Sequence, residues 1–268
     1  MIKAKNRKKR AGRIVSDLWL ILVLAFLYLP IVMVVAFSFN QSKNGVLWTG
    51  FTTDWYRTLF ENRAIADALV SSLTVALVSC ALSAVLGTLG AVGLAKARFK
   101  GKGVLQNIAV LPIMLPEVVI GLAFMTFFSL LGITFGRVTL IIAHTTFCIP
   151  YVLLNVQARL QGLDPALEEA SRDLGASPRK AFFTVTLPLI LPAVLAGVLL
   201  AFAMSLDDMV ISFFVTGPET TTLPVYIFGK LKTNVPPSIN ALCSLMLGVT
   251  LAVVALSRLL RRRTEKDR

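Results

Sequence analysis

Six long apolar stretches separated by short polar ones dominate the chain: Leu18 to Phe39, Leu69 to Ala95, Val104 to Leu131, Val138 to Ala158, Leu187 to Val215 and Ile239 to Ser257. A helix needs roughly 20 apolar residues to cross about 30 Å of hydrocarbon. Only a structure that satisfies its own backbone hydrogen bonds is stable there. The pattern therefore predicts an all-α transmembrane protein, with a six-span domain over 18–257 and polar tails at 1–17 and 258–268. The first run carries no charge and no small-residue cleavage pattern follows it, so it is expected to stay as an anchor. No separate soluble domain is expected.

Composition agrees, with 56% hydrophobic and 15% charged residues, against about a quarter charged in a soluble chain. The net charge of +13 would suit a nucleic-acid binder only if it formed a basic face. Instead it is concentrated beside the apolar runs, which excludes that class. With the N-terminus inside, the cytoplasmic segments hold 21 Lys and Arg and the outer loops 6. Basic residues stay on the cytoplasmic side, so both termini are expected there, in a multi-pass membrane protein. The tails read as topology determinants that also attract anionic membrane lipid.

Several chemistries drop out. Cys80, Cys148 and Cys243 lie in three different runs without metal-ligand spacing, so reduced thiols are expected. His144 is the only histidine and has no HExxH partner, which predicts a packed neutral imidazole and no metal site. No GxxxxGK[ST] is present to cradle nucleotide phosphates, and no nucleophile and base motif supports an enzyme. Asn40-Gln41-Ser42 fits a glycosylation triplet, to which no function is assigned. Ser79, Ser83, Gly87 and Ala91 put small side chains on one helix face, suited to close helix contact. Pro112, Pro116 and Pro150 interrupt the third and fourth runs, either as harmless kinks or as breaks along a transport path. Outside, Phe51, Trp55 and Leu59 at i, i+4 and i+8 predict a short amphipathic helix at headgroup level. Leu223 to Phe228 is expected to dip into the interface.

The cytoplasmic loop at 159–186 contains local order that a connector would not need. Asp164-Pro165 reads as a helix start and Gly175 as its stop, with Leu163, Leu167, Ala170 and Leu174 on one face. Ser177-Pro178 starts a second short helix that runs through Val185 toward the fifth span. Two short helices meeting at a glycine make a rigid knob able to pass a docking event to the spans.

These residues resemble the EAA loop of ABC importer permease subunits. Glu169-Ala170-Ser171, three residues, Gly175, nine residues and Val185-Thr186-Leu187-Pro188 follow that family's spacing, with Ser171 and Val185 departing from its Ala and Ile. The resemblance is closer still to spermidine/putrescine permease subunits, the smaller of two partner permeases. It extends through Trp55-Tyr56, Leu59-Phe60, Ala68 to Leu77, Leu111-Pro112, Leu115-Pro116-Glu117, His144 to Phe147, Phe202 to Asp208, Phe213 to Pro218 and Thr222 to Pro224. It implies a permease half of a type I ABC importer with no catalytic residues. The partners implied are a homologous second permease, a cytoplasmic ATPase dimer that carries the ATP and Mg, and an external solute-binding protein. This chain is expected to bind no cofactor. Glu168, Glu169, Ala170, Ser171, Asp173, Gly175 and Pro188 are then the candidate coupling residues.

The spans contain three carboxylates, Glu117, Asp207 and Asp208, and a charge in hydrocarbon is a functional cue. Carboxylates in a water-filled path would balance the ammonium groups of a polyamine, with Tyr151 or Phe213 adding cation-π contact. Asp207 and Asp208 are expected to matter more than Glu117, whose place beside Pro116 suits a backbone role. A permease for another small organic solute, or an ion-coupled secondary transporter using these carboxylates as proton sites, are the alternatives.

Overall fold

The computed structural model describes residues 2–42, 47–97, 99–233 and 236–266, with side chains for 16–42, 47–97, 99–232 and 236–251. The basic side chains at 3–13 and 258–268, with Lys43 and Arg98, lie outside the described residues. All regular structure among those described is helical. The chain divides into two units, residues 1–63 with 230–268 and residues 64–229.

In the first unit, α1 (Ile2–Phe37) begins within the basic tail. Its apolar part, Ser16–Phe37, is long enough to cross a membrane. The expected amphipathic helix is α2 (Asp54–Glu61). It starts three residues after Phe51, so the i, i+4, i+8 pattern counted from Phe51 does not describe one helix. Phe51 instead stacks on Phe39 at 5.2 Å, and the Trp55 indole N–H donates to the Asn40 carbonyl at 2.7 Å. The Asn40 amide is buried, donating to the Leu47 carbonyl and accepting from Ser42 and Thr49 N–H.

The second unit begins with α3 (Arg63–Lys96), followed by α4 (Lys102–Met114) and α5 (Glu117–Leu130). The expected third span is not one helix, because α4 and α5 meet at 107°. The cause is local. A residue before proline is pushed out of the α region, and Leu115, before Pro116, is extended at φ −86° and ψ 145°. Pro112 and Pro150, by contrast, sit inside unbroken helices.

Helix α6 (Arg137–Gln161) is the centre of this unit, supplying Leu140, Ala143, Phe147 and Cys148 to one buried cluster and Val152, Leu153 and Val156 to a second. Two glycines let neighbouring helices approach the same point. A Cβ at Gly87 of α3 would lie 2.9 Å from Val152 Cβ, and one at Gly197 would lie 2.7 Å from Val152 Cα. The small-residue stripe on α3 also bonds across this contact: Ser79 and Ser83 hydroxyls donate to the Ile141 and Thr145 carbonyls of α6.

The loop after α6 holds α7 (Ala166–Asp173) and α8 (Pro178–Ala181), followed by a π-helical turn, Phe182–Thr186, and α9 (Leu187–Asp207). The fifth apolar run is not continuous either, because α9 ends at Asp207 and a separate α10 (Val210–Val215) follows. Then come α11 (Leu223–Thr233) and, in the first unit, α12 (Pro237–Lys266), which packs on α1 and α2. Among the described residues, four helices are long and apolar enough to cross a membrane, or five spans if α4 and α5 count as one; Pro237–Leu251 is a shorter apolar helix.

Candidate functional site

Two places in the second unit gather the chemistry. The first is a cavity of about 210 Å³ at the α4/α5 break, lined by Glu117, Tyr151 and Asp208 among apolar side chains that include Phe147, Met204 and Ile211. The break supplies Glu117, which opens α5; α6 supplies Tyr151, and the α9/α10 break supplies Asp208. Among the described residues, no Lys or Arg lines the cavity. Asp207 is exposed and not part of the lining. Phe213 is also outside it, packed edge-on against Phe214 and Phe228. The structure thus brings together three of the five candidate pathway residues and leaves two apart.

The two lining carboxylates are held differently. Asp208 is buried and caps α10: one oxygen accepts from Ile211 N–H at 3.2 Å, the other from Ser212 N–H at 2.8 Å and Ser212 Oγ–H at 2.7 Å. His144, 1% exposed, lies behind it, with Nε2 2.9 Å from Ser212 Oγ and 3.4 Å from the carboxylate. Because the Ser212 hydroxyl donates to Asp208, its oxygen accepts from His144 Nε2–H, and Nδ1 lies 2.8 Å from Ser205 Oγ, within hydrogen-bond distance. This hydrogen-bonded chain ties α6, α9 and α10 together and gives both imidazole nitrogens a partner. Glu117 is exposed and, among the described residues, makes no hydrogen bond or ion pair. Charge alone gave no hint of the Ser205 and Ser212 contacts, although Asp208 standing three and four residues before Ile211 and Ser212 is a readable capping pattern.

The second place is the cytoplasmic loop. Asp164 Oδ1 accepts from Ala166 N–H at 2.9 Å, as a helix start requires, and Ser177 Oγ caps α8 by accepting from Lys180 N–H. Gly175 has φ +87°, in the left-handed region where a side chain is strained. Glu169, Ala170, Asp173 and Gly175 are exposed and Ser171 half-buried. Leu167 on α7 and Leu174 just after it remain 48% and 90% exposed among the described residues. Pro188 explains the π-helical turn. It offers no N–H, and a proline ring clashes with the carbonyl four residues back. The ladder widens so that Leu187 N–H reaches the Phe182 carbonyl, five residues back.

Glu168 faces inward, away from the exposed residues of the loop. Its Oε2 accepts from Lys96 Nζ at 2.7 Å and from Thr186 Oγ1 at 3.1 Å, and Oε1 also faces Lys96. The Lys96 bond holds the Glu168 carboxyl below the usual glutamate range, against partial burial that raises it and with help from Thr186 and the nearby charges of Lys96 and Arg172. Nothing in the sequence pairs Lys96 with a residue 72 positions on.

Comparison with known proteins draws these features together. The model of the family "Binding-protein-dependent transport system inner membrane component" matches residues 83–266. The chain is 40% identical over 245 residues to the spermidine/putrescine transport system permease protein PotC of Haemophilus influenzae, covering 91% of this chain and 95% of that one. It is 41% identical to the putrescine transport system permease protein PotI of Escherichia coli, covering 95% of both. Among solved structures, a bacterial ABC transporter involved in alginate import superposes with a TM-score of 0.71 at 16% identity, covering 96% of this chain and 97% of that one. The methionine transporter MetNI gives 0.58 at 17% identity, covering 79% and 99%; both show a shared fold. The exposed helical knob between two apolar helices, the all-helical fold and these matches lead to one assignment: the chain belongs to the binding-protein-dependent transport system inner membrane components, as a multi-pass permease subunit of an ABC importer.

Proposed function

We propose that this chain is one permease half of an ATP-driven polyamine importer, with six spans and both termini in the cytoplasm. It pairs with a homologous second permease, receives solute from an external binding protein, and alternates access as a cytoplasmic ATPase dimer holding ATP and Mg closes against α7 and α8. Family membership argues against the ion-coupled alternative. The polyamine reading draws on the names of the relatives that cover most of the chain. The observation that carries it is the cavity where Glu117, Asp208 and Tyr151 meet with no Lys or Arg among the described residues. A polycation is the solute such a lining favours, through charge and an aromatic face. Within the cavity, Glu117 is the carboxylate free to receive an ammonium group, while Asp208 shapes the wall.

The orientation draws on the 21 to 6 division of basic residues, with the bent α4 and α5 pair counted as one crossing. The exposed Leu167 and Leu174 support the docking role of the loop, since exposed apolar patches mark interaction sites. Affinity purification of the tagged chain from its native membrane, followed by mass spectrometry, tests the assembly. A second permease and an ATPase in stoichiometric amounts are expected; recovery of the chain without an ATPase would refute the proposal.

A further inference from the structure

We propose that the contact of Lys96, Glu168 and Thr186 is the link that carries coupling-helix movement into α3 as well as into the two helices flanking the loop. This inference rests on the coupling role proposed above for α7.

Covalent connection joins the knob to α6 on one side and, through α8 and the π-helical turn, to α9 on the other. Helix α3 has no such connection. What joins it is Glu168, the inward residue of α7, which bonds Lys96 at the last turn of α3 and Thr186 at the end of the π-helical turn. One carboxylate therefore holds three elements at a single point. Around it lies a hollow of about 290 Å³, lined by Leu160, Leu163, Leu167, Val185 and Leu189 besides the three linked residues. Lys96–Glu168 is the side-chain hydrogen bond and ion pair between α7 and α3 among the described residues, so the polar link sets the position of α7 relative to α3. The neighbouring π-helical turn is a departure from α geometry of the kind found at functional sites. Farther along α3, Gly87 meets α6 at the point where Gly197 of α9 also meets it. A displacement of α3 thus reaches the centre of the helical unit. Glu169, adjacent in sequence, is exposed, so the two glutamates divide the work: one faces the docking surface and the other holds the knob to α3.

The test uses the complete complex in proteoliposomes with the external binding protein, recording ATP hydrolysed and polyamine accumulated together. Lys96→Met and Glu168→Gln should each leave the complex assembled and basal ATP hydrolysis within about twofold, while uptake per ATP falls at least fivefold. Lys96→Arg, which keeps the charge and donors, should retain most of the coupling. Residues that act as one unit are non-additive, so Lys96→Met with Glu168→Gln should be no worse than either alone. Wild-type coupling in the single variants, effects that multiply in the double variant, or loss of assembly in the single variants would each overturn the link. A wild-type chain that never associates with an ATPase would instead refute the coupling role itself, a separate outcome.

Discussion

Replacing Glu117 and Asp208 one at a time by their amides separates solute binding from architecture, because the structure gives these carboxylates different surroundings. Glu117 has no hydrogen-bond partner among the described residues and faces the cavity. Glu117→Gln therefore removes a charge without leaving a buried group unpaired. A hydrogen bond to a charged group is worth about 1.5 to 3 kcal/mol. At about 1.4 kcal/mol per tenfold, uptake at subsaturating polyamine should fall about 10- to 100-fold, with yield and heat stability unchanged. Asp208→Asn should behave in the opposite way. The carboxylate accepts three hydrogen bonds through two oxygens, whereas an amide offers only one acceptor oxygen. At least one buried donor on Ile211 or Ser212 loses its acceptor, at a cost of about 1 to 3 kcal/mol. The expected result is a melting temperature lower by several degrees in the assembled complex. This reverses the order that charge and position along the chain suggested, in which the aspartates came first. Labelled-polyamine uptake and thermal unfolding of the same preparations provide the two readouts. Wild-type uptake with Glu117→Gln, or wild-type stability with Asp208→Asn, would refute the assignment of roles.

Gly197→Val should lower complex stability by about 1 to 3 kcal/mol, since its Cβ would meet backbone at Val152 Cα and the Tyr151 carbonyl; Gly93→Ala, with nothing within 4 Å, should have no such effect in the same melting assay. Gly175→Asp should abolish uptake and reduce ATPase recovery in pull-downs while the chain still inserts, because φ +87° there disfavours a side chain; normal recovery and uptake would leave the loop a plain connector. The lowered Glu168 pKa means that the Lys96 link is complete above the ordinary glutamate pKa of about 4.3 and is lost only as pH falls through the lower folded-state value. Uptake per ATP should therefore show no Glu168-dependent step between about pH 8 and pH 5; a step in the wild type that is absent from Glu168→Gln would contradict this.

The apolar runs made the helical class legible, since a span must be long and apolar whatever its neighbours are. The knob was legible for a similar reason: Asp164, Gly175 and Ser177 act within a few residues of themselves. Breaks were only partly legible. Pro116 announced an interruption, but the 107° turn depends on the extended backbone at Leu115 and on how α5 packs afterwards. The end of α9 carried no proline, and only the capping spacing of Asp208 marked it. Long-range pairs were not legible at all. His144 meets Ser205 and Ser212 more than 60 residues away, and Lys96 meets Glu168 across 72, distances at which periodicity carries no information. Phe51 misled because helical spacing does not reveal where a helix begins, and stacking on Phe39 holds it outside α2.

ATP-dependent uptake of radiolabelled spermidine and putrescine, by the purified complex reconstituted with its external binding protein, tests the central claim most directly. Accumulation that requires ATP and the binding protein, and that excess unlabelled polyamine suppresses, is the predicted result. A complex that hydrolyses ATP and accumulates a different solute while leaving polyamines outside would contradict the account.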